Sequence, residues 1–359
     1  MDNRSSLALL SFVVLMVGVT GTPAVAGPAV DRVAGESCAK PIGVTIDADG
    51  DEHHRFRHAN GMIEDHIVAG ADFAPGTASP ARLGKFALSP RPEVGATDRA
   101  EWDAVAANVK KHVRPHQGCI MDGVRAYPIN HNLNYSGYKA VAASGKAYSG
   151  AHSSYTAPSY FLSTCVNESM TQWVGVSNDQ VLVQSGLYVN QYSGTVQAGG
   201  FYEFVGGPWE TPGLVSMASA VPYHAGHRYF FKVLYLDRYH WQVLVNNLDN
   251  GDLFDITVFN PNAGGTNYIQ PFAYFISERL YVGGNLTQYM NHSGVRFRTA
   301  TAHIYGEVDA RLSIQRPEQM IMHSPGLSGP RLGNLDPLEV EASNFTEYWA
   351  RCGVVEFVG

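Results

Sequence analysis

The chain has 359 residues, of which 16% are charged, and its formal net charge is −7 at pH 7. A chain without excess positive charge has no electrostatic basis for binding nucleic acid or an anionic membrane surface, so we expect neither partner. Its 37 glycines, 19 prolines and 19 tyrosines indicate a turn-rich β protein of one large or two modest domains.

The first 26 residues have the pattern of a secretory signal peptide. Arg4 precedes the uninterrupted apolar run Leu7–Val19, and the small residues of Ala24–Ala26 offer a cleavage site. The run is shorter than the roughly 18 apolar residues of a membrane-spanning helix. We therefore expect a secreted protein that is free of the membrane once the signal peptide is removed.

Four cysteines, an even number, predict two disulfides in an oxidising compartment. They are Cys38, Cys119, Cys165 and Cys352. Three pairings are possible, and the sequence does not decide between them. The wide spacing contains no C-x-x-C pair, which argues against a zinc or redox site. The bridges are expected to tie the terminal regions to the core.

The sequence pattern of residues 27–125 differs from that of the rest of the chain. It predicts a mostly irregular N-terminal extension or pro-segment. Asp47–Asp51 resembles a calcium loop, but Glu52 and His58 stand where an EF-hand needs a glycine and a bidentate glutamate. We interpret the run as an acidic turn. The nearby histidines lack partners that would fix a metal geometry, so we expect a solvated segment with no metal or other cofactor. These histidines are His53, His54, His58 and His66.

Two further stretches complete this extension. Phe73–Arg91 is rich in proline, alanine and glycine, which indicates a linker or an extended pro-segment. Apolar residues at helical spacing predict one short helix over Arg99–Val113 that packs against a sheet.

From about Tyr127 onward the apolar pattern is almost wholly that of β-strands. Strands are predicted over Tyr135–Ala142, Ala147–Thr156, Trp173–Val176, Val181–Asn190, Phe201–Val205, Leu214–Ala220, Tyr229–Asp237, Trp241–Asn247, Leu253–Phe259, Phe272–Ser277, Val295–Ile304 and Ala310–Ile314. Many strands at short spacing without helices between them predict an all-β antiparallel sandwich over residues 126–315, followed by a tail over residues 316–359. Tyr229–Leu236 is apolar on both faces apart from Lys232, so it should lie centrally.

One polar residue in the predicted strands is a candidate functional group. Gln184 is flanked by Val183 and Ser185. A neutral amide on a sheet face can donate and accept hydrogen bonds without titrating. Gln184 could therefore hold a polarised carbonyl, and a cross-strand polar pair is the alternative.

Taken together, landmarks in the β region resemble the glutamic peptidases, the eqolisin family. In order they are Asn134–Gly137, Tyr155–Pro158, Trp173–Val176, Leu182–Gly186, Tyr202–Phe204, Trp241–Asn247, Ala273–Glu278 and Val295–Phe297. The resemblance covers roughly residues 130–305. It implies a concanavalin-like β-sandwich of the glutamic-peptidase type, and members of the family carry N-terminal pro-segments.

The resemblance also implies a catalytic dyad of a glutamine and a glutamate. The glutamate acts as general base on a water and then as acid to the leaving amine, while the amide supports the nucleophile and the oxyanion. Gln184 matches the catalytic glutamine. The position of the catalytic glutamate holds Tyr274, and a phenol is a poor base at acidic or neutral pH.

Two other carboxylates are candidates for the missing acid. Glu278 is predicted on the same sheet face as Tyr274, about 13 Å along the strand. It matches a second glutamate of the family, for which a structural or substrate-binding role is the alternative. Glu203 would rebuild the dyad if its side chain faces the same groove as Gln184.

The same resemblance suggests residues that could contact a substrate. They are Trp173, Tyr274, Ser177 and Tyr188. The sequence therefore predicts a monomeric secreted protein that hydrolyses peptide bonds in a polypeptide substrate. The alternative is a catalytically inactive β-sandwich module that binds a peptide or a glycan.

Overall fold

The computed structural model describes most of the chain between residues 36 and 349. The described ranges are 36–88, 91, 96–111, 115–121, 124–125, 135–161, 167–178, 181–192, 194–207, 210–259, 270–282, 285–305, 311–313, 317–320, 333–335 and 345–349. The predicted signal peptide, the prediction for residues 126–134 and most of the predicted C-terminal tail lie outside these ranges.

The described elements are almost all strands. They are β1 Glu36–Cys38, β2 Lys40–Ile46, β3 Glu52–Arg57, β4 Ile63–Val68, α1 Pro80–Lys85, α2 Ala96–Lys111, β5 Cys119–Met121, β6 Val124–Arg125, β7 Tyr135–Val141, β8 Tyr148–Thr156, β9 Tyr160–Phe161, β10 Glu168–Ser177, β11 Leu182–Tyr192, β12 Thr195–Val205, β13 Val215–Ser216, β14 Arg228–Asp237, β15 His240–Asn247, β16 Leu253–Phe259, β17 Phe272–Glu278, β18 Tyr281–Val282, β19 Asn285–Leu286, β20 Gln288–Tyr289, β21 Asn291–Ile304, β22 Arg311–Ser313, β23 Pro317–Met320, β24 Gly333–Leu335 and β25 Phe345–Trp349.

Two large sheets contain nearly all of these strands. Sheet A has the order β1-β5-β13-β12-β11-β10-β17-β7-β23, with β20 paired to β10. Sheet B has the order β2-β3-β4-β16-β15-β14-β8-β21-β25-β24, with β9 and β22 paired to β21. The long neighbouring strands pair antiparallel, as in the hairpins β10–β11 and β14–β15. The predicted all-β antiparallel sandwich is confirmed.

The main core lies between the two sheets. Alternate residues of the long strands point inward and are completely buried, for example Val174 and Val183 from sheet A and Phe231 and Val243 from sheet B. The strand Arg228–Asp237 lies between β15 and β8. This confirms its predicted central position, because a strand covered on both faces can carry apolar side chains on both.

One predicted strand is much shorter than expected. Leu214–Ala220 forms only the two-residue strand β13, Val215–Ser216. The chain then turns, since the carbonyl of Met217 accepts hydrogen bonds from the backbone of both Ala220 and Val221. Apolar alternation alone did not separate this tight turn from a strand.

The N-terminal extension contains more regular structure than its sequence texture predicted. Strands β1 to β6 and both helices come from it. Within Phe73–Arg91, the linker interpretation is wrong, because this stretch contains α1. Pro80 occupies the first turn of α1, and the hydroxyl of Ser79 accepts a hydrogen bond from the backbone of Arg82.

Helix α2 confirms the predicted helix with shifted ends. It covers Ala96–Lys111 rather than Arg99–Val113. The residues of the predicted apolar stripe are buried, among them Trp102, Val105 and Val109. Helix α2 packs with Phe230 and Leu244 on the outer face of sheet B.

One disulfide joins Cys38 to Cys119. It links β1 to β5 within the N-terminal extension rather than tying a terminus to the core. Cys165 and Cys352 lie outside the described residues. In the described part of the chain, no helix combines the length and the apolarity needed to cross a membrane.

Candidate active site

Three of the predicted site residues lie in one row across sheet A. Gly175 on β10 pairs with Tyr274 on one side and with Gln184 on the other. Gln184 in turn pairs with Glu203 on β12. Directly paired residues in an antiparallel sheet project from the same face. Tyr274, Gln184 and Glu203 therefore share one face of the sheet.

Gln184 and Glu203 are in direct contact. The amide Nε2 of Gln184 donates a hydrogen bond of 2.9 Å to Oε2 of Glu203. Both side chains are buried, with relative exposures of 0% and 1%. Oε1 of Gln184 is buried and has no hydrogen-bond partner among the described residues. The pair thus places a carboxylate, an amide donor and an unused amide acceptor at one point.

Tyr274 lies on the other side of Gly175 and is buried. Gly175 has no side chain to separate it from Gln184, and the space above the glycine is taken by an aromatic ring. A Cβ at this position would lie 3.0 Å from Cζ3 of Trp173. The ring centroids of Trp173 and Tyr274 are 6.1 Å apart. Tyr274, at the position predicted for the family's glutamate, therefore forms an aromatic pair with Trp173.

Glu278, the other candidate acid, contacts Trp173. The indole Nε1 of Trp173 donates a hydrogen bond of 2.8 Å to Oε2 of Glu278, and both side chains are buried. Glu278 pairs with Thr171, which pairs with Tyr188. That row lies four residues, or about 13 Å, along the strands from the row of Gln184. Glu278 therefore orients the indole, and Glu203 is the carboxylate beside the glutamine.

The remaining predicted contact residues lie on the same face. The hydroxyl of Tyr188 is 2.8 Å from Oγ of Ser216, and both residues are buried. Ser177 is also buried, at the end of β10 between its partners Leu182 and Phe272.

An apolar cover lies over this face. The small sheet β19-β18-β6 and the neighbouring segments contribute residues that pack with the site residues in one buried cluster. The cluster contains Met121, Val124, Tyr135, Trp173, Leu182, Tyr188, Phe201, Leu214, Tyr274, Ile276, Leu280 and Val282. The site is closed to solvent in this structure.

Burial under the cover also affects Tyr135. It raises the pKa of the Tyr135 phenol well above its ordinary value, and the negative potential of Glu278 and Glu203 adds to the effect. Tyr135 is therefore a neutral phenol beside the two carboxylates over the whole range in which a peptidase would work.

A further buried carboxylate, Glu64, was missed by the sequence analysis. Its two oxygens accept hydrogen bonds from His58 at 2.7 Å, from His66 at 3.1 Å and from the hydroxyl of Tyr202 at 2.6 Å. The backbone of Gly118 donates a fourth bond at 3.1 Å. The prediction that these two histidines lie in a solvated segment is wrong, because they are 2% and 1% exposed.

The histidines determine the charge of Glu64. Burial alone would raise the pKa of this carboxyl, but the hydrogen bonds and positive potential of His58 and His66 outweigh it and hold the pKa well below its usual range. Glu64 thus stays ionised at pH values where an ordinary glutamate is protonated. The nearby His58 and His66 were a local signal for this group, but its partner Tyr202 is 138 positions away.

The acidic run Asp47–Asp51 is neutralised by side chains of α1. Asp47, Asp49 and Asp51 bring carboxylate oxygens together in the manner of a cation site. The ammonium group of Lys85 binds to all three, and Arg82 pairs with Asp51 at 2.8 Å. The Lys85 ammonium group therefore lies among the three carboxylates.

Comparisons with known proteins place this geometry in context. The model of the peptidase A4 family matches residues 133–320, more than half of the chain. Scytalido-glutamic peptidase, solved with a peptide-based transition-state analogue, is 16% identical with a TM-score of 0.46, over 60% of this chain and 98% of that chain. SCP-B, an eqolisin solved with the tripeptide Ala-Ile-His, is 18% identical with a TM-score of 0.45 over the same shares.

The aspergilloglutamic peptidase from Aspergillus niger is 18% identical with a TM-score of 0.41, over 50% of this chain and 99% of that chain. No curated protein matches the chain. The match of the family model to residues 133–320 contains Gln184, Glu203, Tyr274 and Glu278, so these predicted site residues lie within the family domain. The chain belongs to the peptidase A4 family.

Proposed function

We propose that this protein is a secreted hydrolase of peptide bonds in which Glu203 is the general acid and base and Gln184 is its amide partner. The observation that carries the proposal is the 2.9 Å hydrogen bond between Gln184 Nε2 and Glu203 Oε2. In this proposal Glu203 takes the role predicted for the position of Tyr274, from the strand on the other side of the glutamine.

The pair supplies the groups that hydrolysis of an amide needs. Glu203 removes a proton from a water whose oxygen attacks the peptide carbonyl carbon, and then gives that proton to the departing amine nitrogen. Gln184 has two N–H donors, one on Glu203 and one for the developing oxyanion. Its unpaired Oε1 can accept a hydrogen bond from the attacking water.

The surroundings support a polypeptide substrate. Trp173, Tyr188 and Tyr274 offer aromatic surface on the same face, and Ser177 offers a small polar group at its end. Trp173 is held in place through its hydrogen bond to Glu278. The disulfide between Cys38 and Cys119 supports folding in an oxidising compartment, consistent with secretion.

An inactive binding module is the second candidate. It is favoured by the burial of both dyad residues under an apolar cover and by the phenol of Tyr274 in the position predicted for the family's acid. Such a protein would hold a peptide or a glycan against the aromatic face without cleaving it.

Cleavage of a denatured protein substrate between pH 2 and pH 8 tests the proposal. We expect activity in the acid range that falls by about 10²- to 10⁴-fold in Glu203→Gln and in Gln184→Ala. The matched control is Glu278→Gln, which changes a buried glutamate on the same face and should keep at least a tenth of the activity.

The outcomes separate the candidates. Loss of activity in Glu278→Gln with full activity in Glu203→Gln would overturn the assignment of Glu203. If the wild type shows no cleavage at any pH but binds peptides in calorimetry, the binding module is correct.

A further inference from the structure

The N-terminal extension is built into both sheets of the family domain. On sheet A, β5 pairs with β13, which lies beside the strand that carries Glu203. On sheet B, β4 pairs with β16 over four residues. The described residues from Glu36 onward belong to one compact unit. The extension therefore adds strands to each sheet rather than lying against a finished sandwich.

The two helices and the segment that precedes them cover the outer face of sheet B. Their apolar side chains form one buried cluster with side chains of β14, β15 and β16. The sheet contributes Phe230, Leu244 and Leu253 to the cluster. Removing the extension would expose a continuous apolar face, which soluble proteins avoid.

Polar contacts fix the helices on that face. Asn108 of α2 donates hydrogen bonds to the side chain of Asn246 at 2.8 Å and to the carbonyl of Asn247 at 3.1 Å. At the end of α1, Lys232 donates to the carbonyl of Ala87 at 2.6 Å, and Gln242 donates to two further carbonyls. The sheet thus satisfies carbonyl groups that a helix terminus leaves unpaired.

On the inner side, Glu64 joins the extension to the site strand. Its carboxylate accepts a hydrogen bond from the hydroxyl of Tyr202, the residue next to Glu203 on β12. The side chains of Tyr202 and Glu203 point to opposite faces of the strand. Glu64 therefore holds β12 from the core side at the position where Glu203 faces the site. Because the pKa of Glu64 is held well below its usual range, this contact persists at acid pH.

The end of the extension crosses the cover of the site. The backbone of Met121 donates to the carbonyl of Leu214, and the backbone of Leu214 donates to the carbonyl of Val124. Strand β6 then pairs with β18. The side chains of Met121 and Val124 belong to the same buried cluster as Trp173 and Tyr274.

We infer that the segment from Glu36 to Arg125 is a permanent part of the working protein, and that Met121 and Val124 form an apolar wall of the site that selects apolar substrate side chains. The second half of this inference rests on the proposed function. The first half does not, because it follows from strand pairing and burial alone.

The mass of the purified secreted protein tests retention. We expect the intact mass to include Glu36 to Arg125 before and after incubation at the pH of maximal activity. If the chain is cut after Arg125, the two pieces should still elute together in size-exclusion chromatography at that pH. A folded species that begins after Arg125 and keeps its thermal stability would overturn the inference.

Substitutions in the wall test selection. In Met121→Ala and Val124→Ala we expect the ratio of kcat/KM for peptides with a leucine and with a serine beside the cleaved bond to fall about tenfold. Ile42→Ala, which changes an apolar residue of the extension that is 44% exposed, is the control and should keep the ratio. Circular dichroism confirms that each variant is folded.

If Met121→Ala and Val124→Ala are folded and active but keep the wild-type ratio of kcat/KM, Met121 and Val124 do not select the substrate side chain. If the wild type cleaves nothing, the proposed function fails, and the same two peptides are compared as ligands by calorimetry. The wall variants are then expected to lose the preference for the leucine peptide in the dissociation constants of the two peptides. The same preference in wild type and all variants would show that Met121 and Val124 do not select the side chain.

Discussion

Glu64 and Glu203 are buried glutamates on the two sides of β12, and their partners differ in kind. Glu64, on the core side, accepts hydrogen bonds from two histidines, a tyrosine and a backbone amide. Glu203, on the other side, accepts from the neutral amide of Gln184. A carboxylate surrounded by imidazoles keeps its charge, whereas one paired with an amide can exchange a proton without losing that partner. The first arrangement suits structure and the second suits catalysis.

The largest loss of stability is expected from a substitution of Glu64. Glu64→Ala leaves buried histidine and tyrosine donors without an acceptor, so we expect a loss of about 3–5 kcal/mol in the free energy of unfolding at pH 7. Urea denaturation measures it. Glu52→Ala, which removes a half-exposed carboxylate beside His54, should cost no more than about 1 kcal/mol.

The pH dependence of this difference has a defined sign. The folded pKa of Glu64 lies below its unfolded value near 4.5, so its contribution is complete above that pH and decreases as the pH falls below it. A difference between wild type and Glu64→Ala that grows towards acid pH would contradict the structural role.

A methyl group at Gly118 should disturb the same carboxylate. A Cβ there would lie 2.3 Å from Oε1 of Glu64 and 2.7 Å from Cγ1 of Val215. We expect Gly118→Ala to lower the free energy of unfolding by about 1–3 kcal/mol. Gly76→Ala is the control, since no atom lies within 4 Å of its Cβ position. Equal stability of the two variants would show that the carboxylate moves easily.

Asp255 extends the comparison to a carboxylate that the fold keeps neutral. Burial raises its pKa to about 8, against the opposing effects of Lys232 and Gln242. Because the folded pKa lies above the unfolded value of 3.8, its stabilising contribution is complete below that value and is lost as the pH rises to about 8. We expect Asp255→Asn to be more stable than wild type at pH 9 by at least about 1 kcal/mol.

Thermal unfolding at pH 3.5 and pH 9 measures this effect. The two proteins should differ little at the lower pH. A constant difference at both values would mean that Asp255 does not titrate in this range.

The smallest change in stability is expected at Glu203. Glu203→Gln keeps the size of the side chain and can still accept a hydrogen bond from Gln184, so the free energy of unfolding should change by less than about 1 kcal/mol. Urea denaturation of Glu203→Gln and Glu64→Ala under the same conditions compares their free energies of unfolding directly. A loss as large as that of Glu64→Ala would make both glutamates structural.

Much of the candidate site could be predicted because its geometry is local. A turn at Gly194, whose φ is 81°, joins β11 to β12 and pairs Tyr192 with Thr195. Moving eight residues away from the turn along each strand, from Tyr192 on β11 and from Thr195 on β12, brings Gln184 opposite Glu203. A Ser-Gly pair between two apolar runs is a hairpin signal, so the register was available in the sequence.

The N-terminal extension could not be predicted in the same way. Strand β2 has Ile42, Val44 and Ile46 at alternate positions, yet it is exposed along its whole length, and β3 reads EHHRFR, which lacks that alternation. His58 and His66 lie within six positions of Glu64, but its other two partners, Gly118 and Tyr202, are 54 and 138 positions away. The close approach at Gly118 is recognised only when Glu64 and Val215 are already placed. Tertiary contacts, rather than local preference, organise this region.

The pairing of β4 with β16 has a consequence for how the chain reaches its final form. His66 pairs with Ile256, roughly 190 positions later, so sheet B stays incomplete until most of the polypeptide has been synthesised. Folding that depends on such distant contacts is slow. A polypeptide exported as proposed would therefore remain extended long enough to pass through a narrow translocation channel, and would close its sheets only after the last partner strand had emerged.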